Sequence, residues 1–571
     1  MQFYSIFVFV LCMVIVQSAV ITDDGDVLEQ GLYSKSDHVI ILTNRNFKRN
    51  VYNQPQAMLV QFYNTYCGHC RSFAPKLKAL AADIQVWNKA IKLAVLDCSV
   101  EENNEVCRNF DVMAYPSIRY LHEGYIEANG NVGENFALAL TVNTLKDQII
   151  TKLQSEQLAG RLRYVPSLNI ASYNSYVDAL ADVPSTVLFT FLVFENENSV
   201  TGSELILDML DYKNIRVKRV NELSTLANIS GLKYFPGLVV LHDNKATPLT
   251  SIASSKDNML RAVNTFLVVH HYAVPLHDNI DDKINHLDPD NKAKTVTEDR
   301  VYYSDLEKTI KTTLHTEITR QQVLSGEPLQ ALLNYLDILI AVFPSRGNLK
   351  EYLSDLKTAL SKKPSYRGEE IYNLVKNLEA ARSPVYVTDL EYVACKGSQE
   401  KYRGYTCGLW TLFHTLTVNA AQKPGVLGPQ VLSAMHGYVK HFFGCTDCAQ
   451  HFQEMAAKNK IFDVRDNDKA VLWLWISHNA VNLRIAGDIT EDPEHPKIQF
   501  PSAVKCPECR TGAGAWDLPV VYEYLQSVYG SNNILGSRPV RSFSAASPFS
   551  SLDIGMLSLL TVHIMKWCLV G

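Results

Sequence analysis

A Cys-Gly-His-Cys motif at residues 67–70 constrains the fold more than any other feature of this sequence. It lies where the apolar run "MLVQFY" gives way to the helix-like pattern "CRSFAPKLKALAADIQVW", and a second apolar run, "IKLAVLD", follows. Strand, helix and parallel strand in that order predict a parallel sheet with helices on its faces. A cysteine pair with this spacing at a strand-to-helix junction is typical of a redox-active dithiol, and less so of a structural disulfide or half a zinc site.

The predicted helix places Cys67 at its N-terminus. Unpaired backbone N–H groups and the helix dipole favour a thiolate there, and His69 adds a nearby potential cation. We therefore expect the pKa of the Cys67 thiol to be low, which makes a disulfide at this position easy to reduce.

Ten cysteines, including Cys67 and Cys70, remain once Cys12 and Cys568 in the apolar terminal segments are set aside. They form five close pairs: Cys67/Cys70, Cys98/Cys107, Cys395/Cys407, Cys445/Cys448 and Cys506/Cys509. Short separations, an even count and an apparent signal peptide indicate local disulfides in an oxidising compartment. A glycosylation acceptor at Asn228 is compatible with that route.

Both ends of the chain are apolar. Residues 1–19 read as a cleavable signal peptide, with an uncleaved anchor as the alternative. The tail 552–571 contains His563 and Lys566, so it is a marginal membrane span. A weak anchor, a glycolipid-attachment signal and the apolar end of a secreted chain all fit, and we favour some membrane attachment. The formal charge of −5 gives no hint of a nucleic-acid partner.

The hydrophobic and charged fractions, 47% and 20%, are those of a folded protein, and 571 residues require several domains. Residues 36–160 form the dithiol unit, and residues 163–273 repeat its order of elements without any cysteine. A polar linker is predicted at 274–298, after which the apolar period becomes helical. The helical part ends near residue 529, and a disordered stem is predicted at 530–551.

Aromatic and polar residues recur beside cysteines in the helical part. Trp410 and His414 lie four residues apart just after Cys407, and His451 lies one turn after Cys448. A third helix aligns Trp475, His478, Asn479 and Asn482 along one stripe. Such a set beside a dithiol suits a flat redox cofactor held between helices. A zinc site that joins Cys445/Cys448 to Cys506/Cys509 is the less favoured alternative, because the pairs are far apart in sequence, and no metal is predicted.

On these residues, the first unit resembles the active thioredoxin-fold domain of protein disulfide isomerases. Tyr115-Pro116 matches the family's cis-proline that faces the dithiol, whereas Gln61 replaces a buried acid and Tyr66 replaces a tryptophan. The helical unit at 392–529 resembles an Erv/ALR-type flavin domain, and the whole order of units resembles the quiescin sulfhydryl oxidases. The resemblance implies two α/β thioredoxin-like domains, an all-α pseudo-flavin region at 299–383 and a helical-bundle FAD domain.

The resemblance also implies a set of FAD contacts. They are Arg403, Trp410, His414, Asp447, His451, Trp475, Ile476, Ser477, His478, Asn479, Ala480, Val481, Asn482, Lys497 and Phe500. Asp447 stands where a glutamate is common in the family and Phe500 where a tryptophan is common. Arg403 and Lys497 are expected to serve phosphate or ribose groups of FAD.

The implied activity is a relay from reduced secretory or extracellular client proteins to oxygen. A client reduces Cys67/Cys70, with Cys67 exposed to it; Cys67 then attacks Cys445, and Cys448 passes two electrons to FAD, so that oxygen becomes hydrogen peroxide. The first domain has to swing between these partners, with a hinge before Val301. The other six paired cysteines, Cys98, Cys107, Cys395, Cys407, Cys506 and Cys509, are expected to form structural disulfides, although a shuttle role for the last pair is an alternative.

The expected location is the secretory pathway, in the Golgi or endoplasmic reticulum, or the outer side of the cell, free or membrane-attached. Two other functions fit parts of the sequence. One is a protein disulfide isomerase or chaperone without oxidase activity, which leaves the aromatic stripes of the helical part unexplained. The other is a secreted interaction protein whose redox sites have decayed, which the presence of both dithiols disfavours.

Overall fold

A computed structural model describes residues 29–536 except 128–129, 244, 273, 275–298, 426, 489 and 513. The predicted signal peptide, all but one residue of the predicted linker, most of the predicted stem and the whole apolar tail lie outside the described residues. Within the described part of the chain, no helix is long and apolar enough to cross a membrane.

The first unit is built on a five-stranded sheet. Its spatial order is Ile40–Leu42, Ile91–Asp97, Ala57–Tyr63, Ser117–Leu121 and Glu134–Phe136. The first three strands are parallel and the last two are antiparallel additions. Helices Asn44–Val51, Gly68–Asp83, Asn104–Asn109 and Val142–Leu158 complete the unit. Every residue of the central strand is buried, as expected for a strand covered on both faces, and the predicted strand, helix and strand order is confirmed.

The second unit has a four-stranded sheet. Its order is Lys245–Pro248, Gly237–His242, Phe189–Glu195 and Ile215–Asn221, and its helices are Tyr176–Leu180, Thr201–Asp208, Thr225–Asn228 and Lys256–Val269. At the end of the central strand, the buried Glu195 carboxylate binds Arg219 at 2.5 Å and accepts the Gly202 N–H at 3.0 Å. An ion pair thus holds the start of the helix at the place where the first unit has its dithiol.

The two sheet units pack together through one continuous apolar core. Polar contacts reinforce it: the Trp87 indole N–H donates to Asp208 at 2.7 Å, and the Lys146 ammonium binds Asp83 at 2.9 Å and Glu204. The cysteine-free second unit therefore stabilises the first unit by packing against it.

The remaining chain is helical and forms a second core. Its helices are Tyr303–Thr312, which continues as a π-helix over Thr313–Glu317, Gly326–Val342, Leu349–Leu360, Gly368–Ala381, Gly404–Ala421, Gly428–Phe442, Thr446–Lys458, Asn467–Ile485 and Leu518–Tyr529. The pseudo-flavin region and the flavin-type bundle pack so closely that there is no room for a side chain at Gly408, where a Cβ would lie 2.0 Å from Thr309 Oγ1. The predicted helical character of this part is confirmed, with two small additions: strand Val301–Tyr302 pairs with Ile534–Leu535, and strand Val323–Ser325 pairs with Ser365–Arg367.

The first unit docks on the helical part through buried polar contacts. The Asn104 amide donates to the His315 carbonyl at 3.1 Å, and the Arg108 guanidinium donates to the Thr319 carbonyl at 3.1 Å. Buried polar groups of this kind stabilise an interface only when their partners are in place, so they favour one docked geometry over others.

His315 joins the two parts by ion pairs. Its buried ring lies between Glu101 of the first unit, at 2.8 Å, and Glu379, at 2.6 Å. Burial alone would lower the pKa of His315, but hydrogen bonds to both carboxylates and their charges outweigh burial and raise it. The hydrogen bond from His315 lowers the pKa of Glu101 to about 2, while Lys376 and Tyr372 also face that carboxylate. The charged form of His315 is therefore the one that stabilises the docked arrangement.

This ion pair predicts a pH-dependent stability. Because the pKa of His315 is raised in the folded protein, its contribution is complete below the ordinary histidine value of about 6.5 and is lost as the pH rises through the raised pKa. We expect His315→Gln to lower the melting temperature by about 2–4 °C at acidic pH, and by less as the pH rises. Melting curves of both proteins over this range measure the effect, and a constant difference between them would contradict it.

Candidate active site

The first dithiol lies at the start of the helix Gly68–Asp83, for which Cys67 is the N-cap residue. Both cysteines are thiols and both are buried, with exposed fractions of 3% for Cys67 and 0% for Cys70. A hydrogen bond with Cys70 lowers the pKa of Cys67, whereas burial raises the pKa of Cys70 well above its ordinary value. Cys67 is thus the thiol that ionises first, as a nucleophilic cysteine must.

The surroundings of Cys70 differ from a site with a buried acid at residue 61. Gln61 is buried and accepts a hydrogen bond from the Tyr33 hydroxyl at 2.6 Å. A carboxylate is nevertheless close, because Asp97 is buried one strand away and its charge helps to raise the pKa of Cys70. Thr65 and Ser99 donate hydrogen bonds to the Asp97 carboxylate, and these bonds lower its pKa. Burial outweighs them, so the pKa of Asp97 remains raised.

The second dithiol mirrors the first. Cys445 is the N-cap residue of the helix Thr446–Lys458 and is joined to Cys448 by a disulfide. Cys445 is 4% exposed, and its apolar neighbours belong to the core of the first unit. The remaining pairs, Cys98–Cys107, Cys395–Cys407 and Cys506–Cys509, are also disulfides in the structure.

The two redox motifs meet at the docking interface. The His69 ring binds the Asp447 carboxylate at 2.9 Å, so the middle residues of the two motifs touch each other. The Tyr115 N–H donates to the Gly444 carbonyl at 3.2 Å, next to Cys445, and the Tyr115 carbonyl accepts the Cys67 thiol at 3.7 Å. One peptide residue, which precedes a cis-proline at 116, therefore bridges the two cysteines.

The expected exposure of Cys67 is wrong for this docked arrangement. The loop before Cys445 packs against the residues around the dithiol and leaves Cys67 only 3% exposed, a tertiary contact that the position of Cys67 at a helix N-terminus does not indicate. The docked structure thus places the two dithiol motifs against each other.

Aromatic rings stack beside the second dithiol's helical bundle. Trp410 and His478 lie almost parallel, with ring centroids 4.2 Å apart, and His414 Nε2 lies 3.0 Å from His478 Nδ1. Tyr529, which no local pattern marks as a site residue, also stacks on His414, with ring centroids 4.8 Å apart. Burial lowers the pKa of His414 to about 3 and that of His478 well below the ordinary value, so both rings are neutral hydrogen-bonding groups.

The predicted stripe on the helix Asn467–Ile485 divides between two tasks. Asn479 and Trp475 donate to the Phe500 carbonyl at 2.7 and 2.6 Å, and Asn482 donates to the Ile498 carbonyl at 3.1 Å. These side chains fix the segment 498–500 against the helix, and only His478 faces the stacked rings. Trp475 packs instead in a small core with the Cys506–Cys509 disulfide.

Other predicted contact residues take varied positions. His451, Ile476 and Ala480 are exposed, whereas Ser477 is buried and Val481 is half-buried. The structure brings Trp410, His414 and His478 together and leaves the exposed residues outside that group.

The polar groups of this region fit a bound, anionic flavin nucleotide. Three buried polar atoms have no hydrogen-bond partner among the described residues: His414 Nδ1, Ser477 Oγ and Arg403 Nε. Burial, with the positive charges of Arg403 and Arg71, lowers the pKa of Lys497. Unpaired buried donors and crowded cations are costly alone, and both are relieved by phosphate and other polar groups of a ligand.

Comparisons with known proteins agree with this geometry. Residues 38–146 match the Thioredoxin family, residues 297–398 match the family described as flavin adenine dinucleotide (FAD)-dependent sulfhydryl oxidase, and residues 407–501 match the Erv1 / Alr family. Sulfhydryl oxidase 1 of Gallus gallus is 35% identical over 517 residues, which cover 88% of this chain and 68% of that protein. Sulfhydryl oxidase 2 of Homo sapiens is 32% identical over 520 residues, which cover 87% of this chain and 73% of that protein.

A solved structure, "Sulfhydryl Oxidase Fragment of Human QSOX1", is 34% identical, and the match covers 42% of this chain and 99% of that chain with a TM-score of 0.39. The long relatives share both the thioredoxin part and the flavin part with this chain. The chain therefore belongs to the quiescin sulfhydryl oxidase family and is an FAD-dependent thiol oxidase that uses oxygen to form disulfide bonds in protein thiols.

Proposed function

We propose that Cys67/Cys70 and Cys445/Cys448 form a two-station relay from client thiols to FAD. The observation that supports it is the meeting of the two motifs, with the Tyr115 residue hydrogen-bonded to Cys67 on one side and to Gly444 on the other. A protein disulfide isomerase without oxidase activity would have no use for the second dithiol at this interface.

The first exchange oxidises the client. A client thiolate attacks Cys67 Sγ of the Cys67–Cys70 disulfide, and Cys70 leaves as a thiolate that takes up a proton. The client's second thiolate then attacks the client sulfur of this mixed disulfide and releases Cys67. The lowered pKa of Cys67 favours its departure, so the products are a client disulfide and a reduced Cys67/Cys70 pair.

The second exchange moves the two electrons to the flavin domain. The Cys67 thiolate attacks Cys445 Sγ, and Cys448 leaves as a thiolate. Cys70 then loses its proton and attacks Cys67 Sγ, which releases Cys445 and restores the Cys67–Cys70 disulfide. Because burial raises the pKa of Cys70, its deprotonation is the demanding proton transfer of this step, and Asp97 is the nearby carboxylate.

The reduced Cys445/Cys448 pair would be the electron donor to the cofactor. FAD, when bound, would supply a two-electron acceptor whose reoxidation by oxygen yields hydrogen peroxide. Trp410, His414 and His478 would hold the flavin nucleotide by stacking and neutral hydrogen bonds, and Arg403 and Lys497 would hold its phosphate groups.

The relay requires movement of the first unit. Cys67 is 3% exposed when docked, so a folded client protein reaches it only after the first unit separates from the helical part. The polar segment 274–298 before Val301 is the hinge in this proposal. Docked and undocked arrangements then alternate during each turnover.

The enzyme works in the secretory pathway or outside the cell, by this proposal. An apparent signal peptide and the paired cysteines support an oxidising compartment, and Asn228 is exposed at a helix end, where a glycan has room. The apolar tail 552–571 would hold the enzyme to the lumenal or outer face of a membrane. Mass spectrometry of the mature chain tests signal-peptide cleavage and glycosylation, and a chain that keeps residues 1–19 and carries no glycan at Asn228 would contradict both.

The relay predicts different effects of one mutation on two substrates. Cys67→Ser should lower oxidation of a reduced unfolded protein by at least about 100-fold, since the client then lacks its entry point. Oxidation of a small dithiol should persist, because such a molecule reaches Cys445–Cys448 directly. Oxygen consumption by the flavin-containing protein measures both rates.

The matched control is Cys98→Ser/Cys107→Ser, which removes a disulfide of the same unit that has no part in the relay. Equal loss of both activities in Cys67→Ser would refute the relay. A purified protein that contains no flavin and takes up no oxygen would refute the oxidase itself.

The phosphate role of Lys497 predicts weaker cofactor binding on mutation. Lys497→Met should lower FAD affinity about tenfold, since one charge-assisted contact is lost. Flavin absorbance per protein chain after dialysis measures this directly. Lys458→Met, an equal charge change at the exposed far end of the helix Thr446–Lys458, should retain full flavin, and equal flavin loss in both variants would contradict the assignment.

A further inference from the structure

The docking interface has two points where backbone meets an aromatic ring. Tyr66 precedes Cys67, and a Cβ on Gly404 would lie 2.2 Å from its ring. Tyr115 precedes the cis-proline, and a Cβ on Gly444 would lie 2.6 Å from its ring. The flavin domain therefore has a glycine at both points where an aromatic residue beside the first dithiol packs against it. Gly404 also has a positive φ of 46°, whereas Gly444 does not, so the close approach alone requires glycine at 444.

A buried ion pair of the pseudo-flavin region lies behind this contact. Arg320 and Glu317 are each 2% exposed, and Arg320 Nη1 donates to Glu317 Oε2 at 3.0 Å. Both partners also hold the loop before Cys445: Arg320 Nη2 donates to the Phe442 carbonyl at 3.0 Å, and Glu317 Oε2 accepts the Gly444 N–H at 3.2 Å. The pair thus fixes the backbone that leads directly into the second dithiol.

The same guanidinium faces the first unit. Its central carbon lies 5.4 Å from the centroid of the Tyr115 ring, within the range of a cation–π contact. This contact exists only while the first unit is docked, unlike the hydrogen bonds to Glu317 and Phe442, which lie within the helical part. A cation shielded from water by the incoming ring interacts with it more strongly than an exposed one does.

Tyr115 connects the Arg320 contact to the two redox cysteines. Its carbonyl accepts the Cys67 thiol, and its N–H donates to Gly444, the residue before Cys445. A ring held by Arg320 therefore fixes the backbone that sets Cys67 opposite Cys445. Thiol–disulfide exchange requires in-line attack of one sulfur on another, so small displacements slow it strongly.

We propose that Arg320 is a positioning residue for electron transfer between the two dithiols: paired with Glu317, it orders the Cys445 loop and receives Tyr115, so that Cys67 meets Cys445. The inference rests on the relay proposed above. It gives the cysteine-free pseudo-flavin region a direct part in turnover, as the surface that recognises the reduced first unit.

The experiment compares the two electron entry routes. Glu317→Gln/Arg320→Met removes the charge without leaving one ion unpaired in the core. We expect its kcat with a reduced unfolded protein to fall about tenfold and KM to fall with it, so that kcat/KM is nearly unchanged, because the client reacts in the undocked state before the slowed step. The same double change in a Cys67→Ser background should slow small-dithiol oxidation much less than protein-thiol oxidation, because that route uses the ordered Cys445 loop but not the contact with Tyr115.

A second variant tests the contact from the other side, where the helical core is untouched. Tyr115→Leu should slow anaerobic reduction of the flavin by a protein dithiol about tenfold. Tyr115→Phe keeps the ring and loses only the hydroxyl, which also faces Arg320, so it should slow the reduction less than Tyr115→Leu does. Adding Tyr115→Leu to Glu317→Gln/Arg320→Met should cost little more than either change alone, because both remove one contact.

Three outcomes would overturn the inference: unchanged kcat in the ion-pair variant, equal loss by both entry routes, or additive losses in the combined variant. These results are distinct from failure of the relay itself, which appears as protein-thiol oxidation that survives Cys67→Ser.

Discussion

The contact of Tyr115 with Cys67 and Gly444 is the interaction on which the working arrangement depends. Each half of the molecule is stable through its own core, one for the two sheet units and one for the two helical regions. What makes them one enzyme is the docked interface, where a single residue's carbonyl and N–H link the first dithiol to the backbone beside the second. Hydrogen bonds of this kind are modest in energy, which suits the alternation between docked and undocked arrangements that the proposed relay requires.

The direction of electron flow follows from the two thiol environments together with the flavin site. The pKa of Cys67 is lowered and that of Cys70 is raised, so in the proposed relay Cys67 is the sulfur that reacts first with the client and then with Cys445. A second dithiol beside a flavin makes the transfer effectively one-way, since oxygen removes the electrons. The identical motif in a protein without that second station would equally well reduce or rearrange disulfides.

Much of this could be predicted from the sequence, because the decisive signals are local. Strand and helix periods give the sheet around Cys67, and cysteine spacing gives the second station at Cys445. The docked contacts could not be predicted: Arg320 and Gly444 are 124 positions apart by their residue numbers, and no periodicity marks their meeting. Trp475 and Asn479 lie on one helix, as their spacing predicts. Both donate hydrogen bonds to the Phe500 carbonyl, a partner that only tertiary packing reveals.

Trapping the exchange intermediate tests the central claim most directly. In Cys70→Ser/Cys448→Ser, neither resolving thiol is present, so mild oxidation should join Cys67 to Cys445 within one chain. Non-reducing peptide mapping by mass spectrometry identifies the linked cysteines. The account predicts a Cys67–Cys445 peptide as the main product, and it would be contradicted if both thiols remained free to alkylate or if Cys67 were joined to any other cysteine.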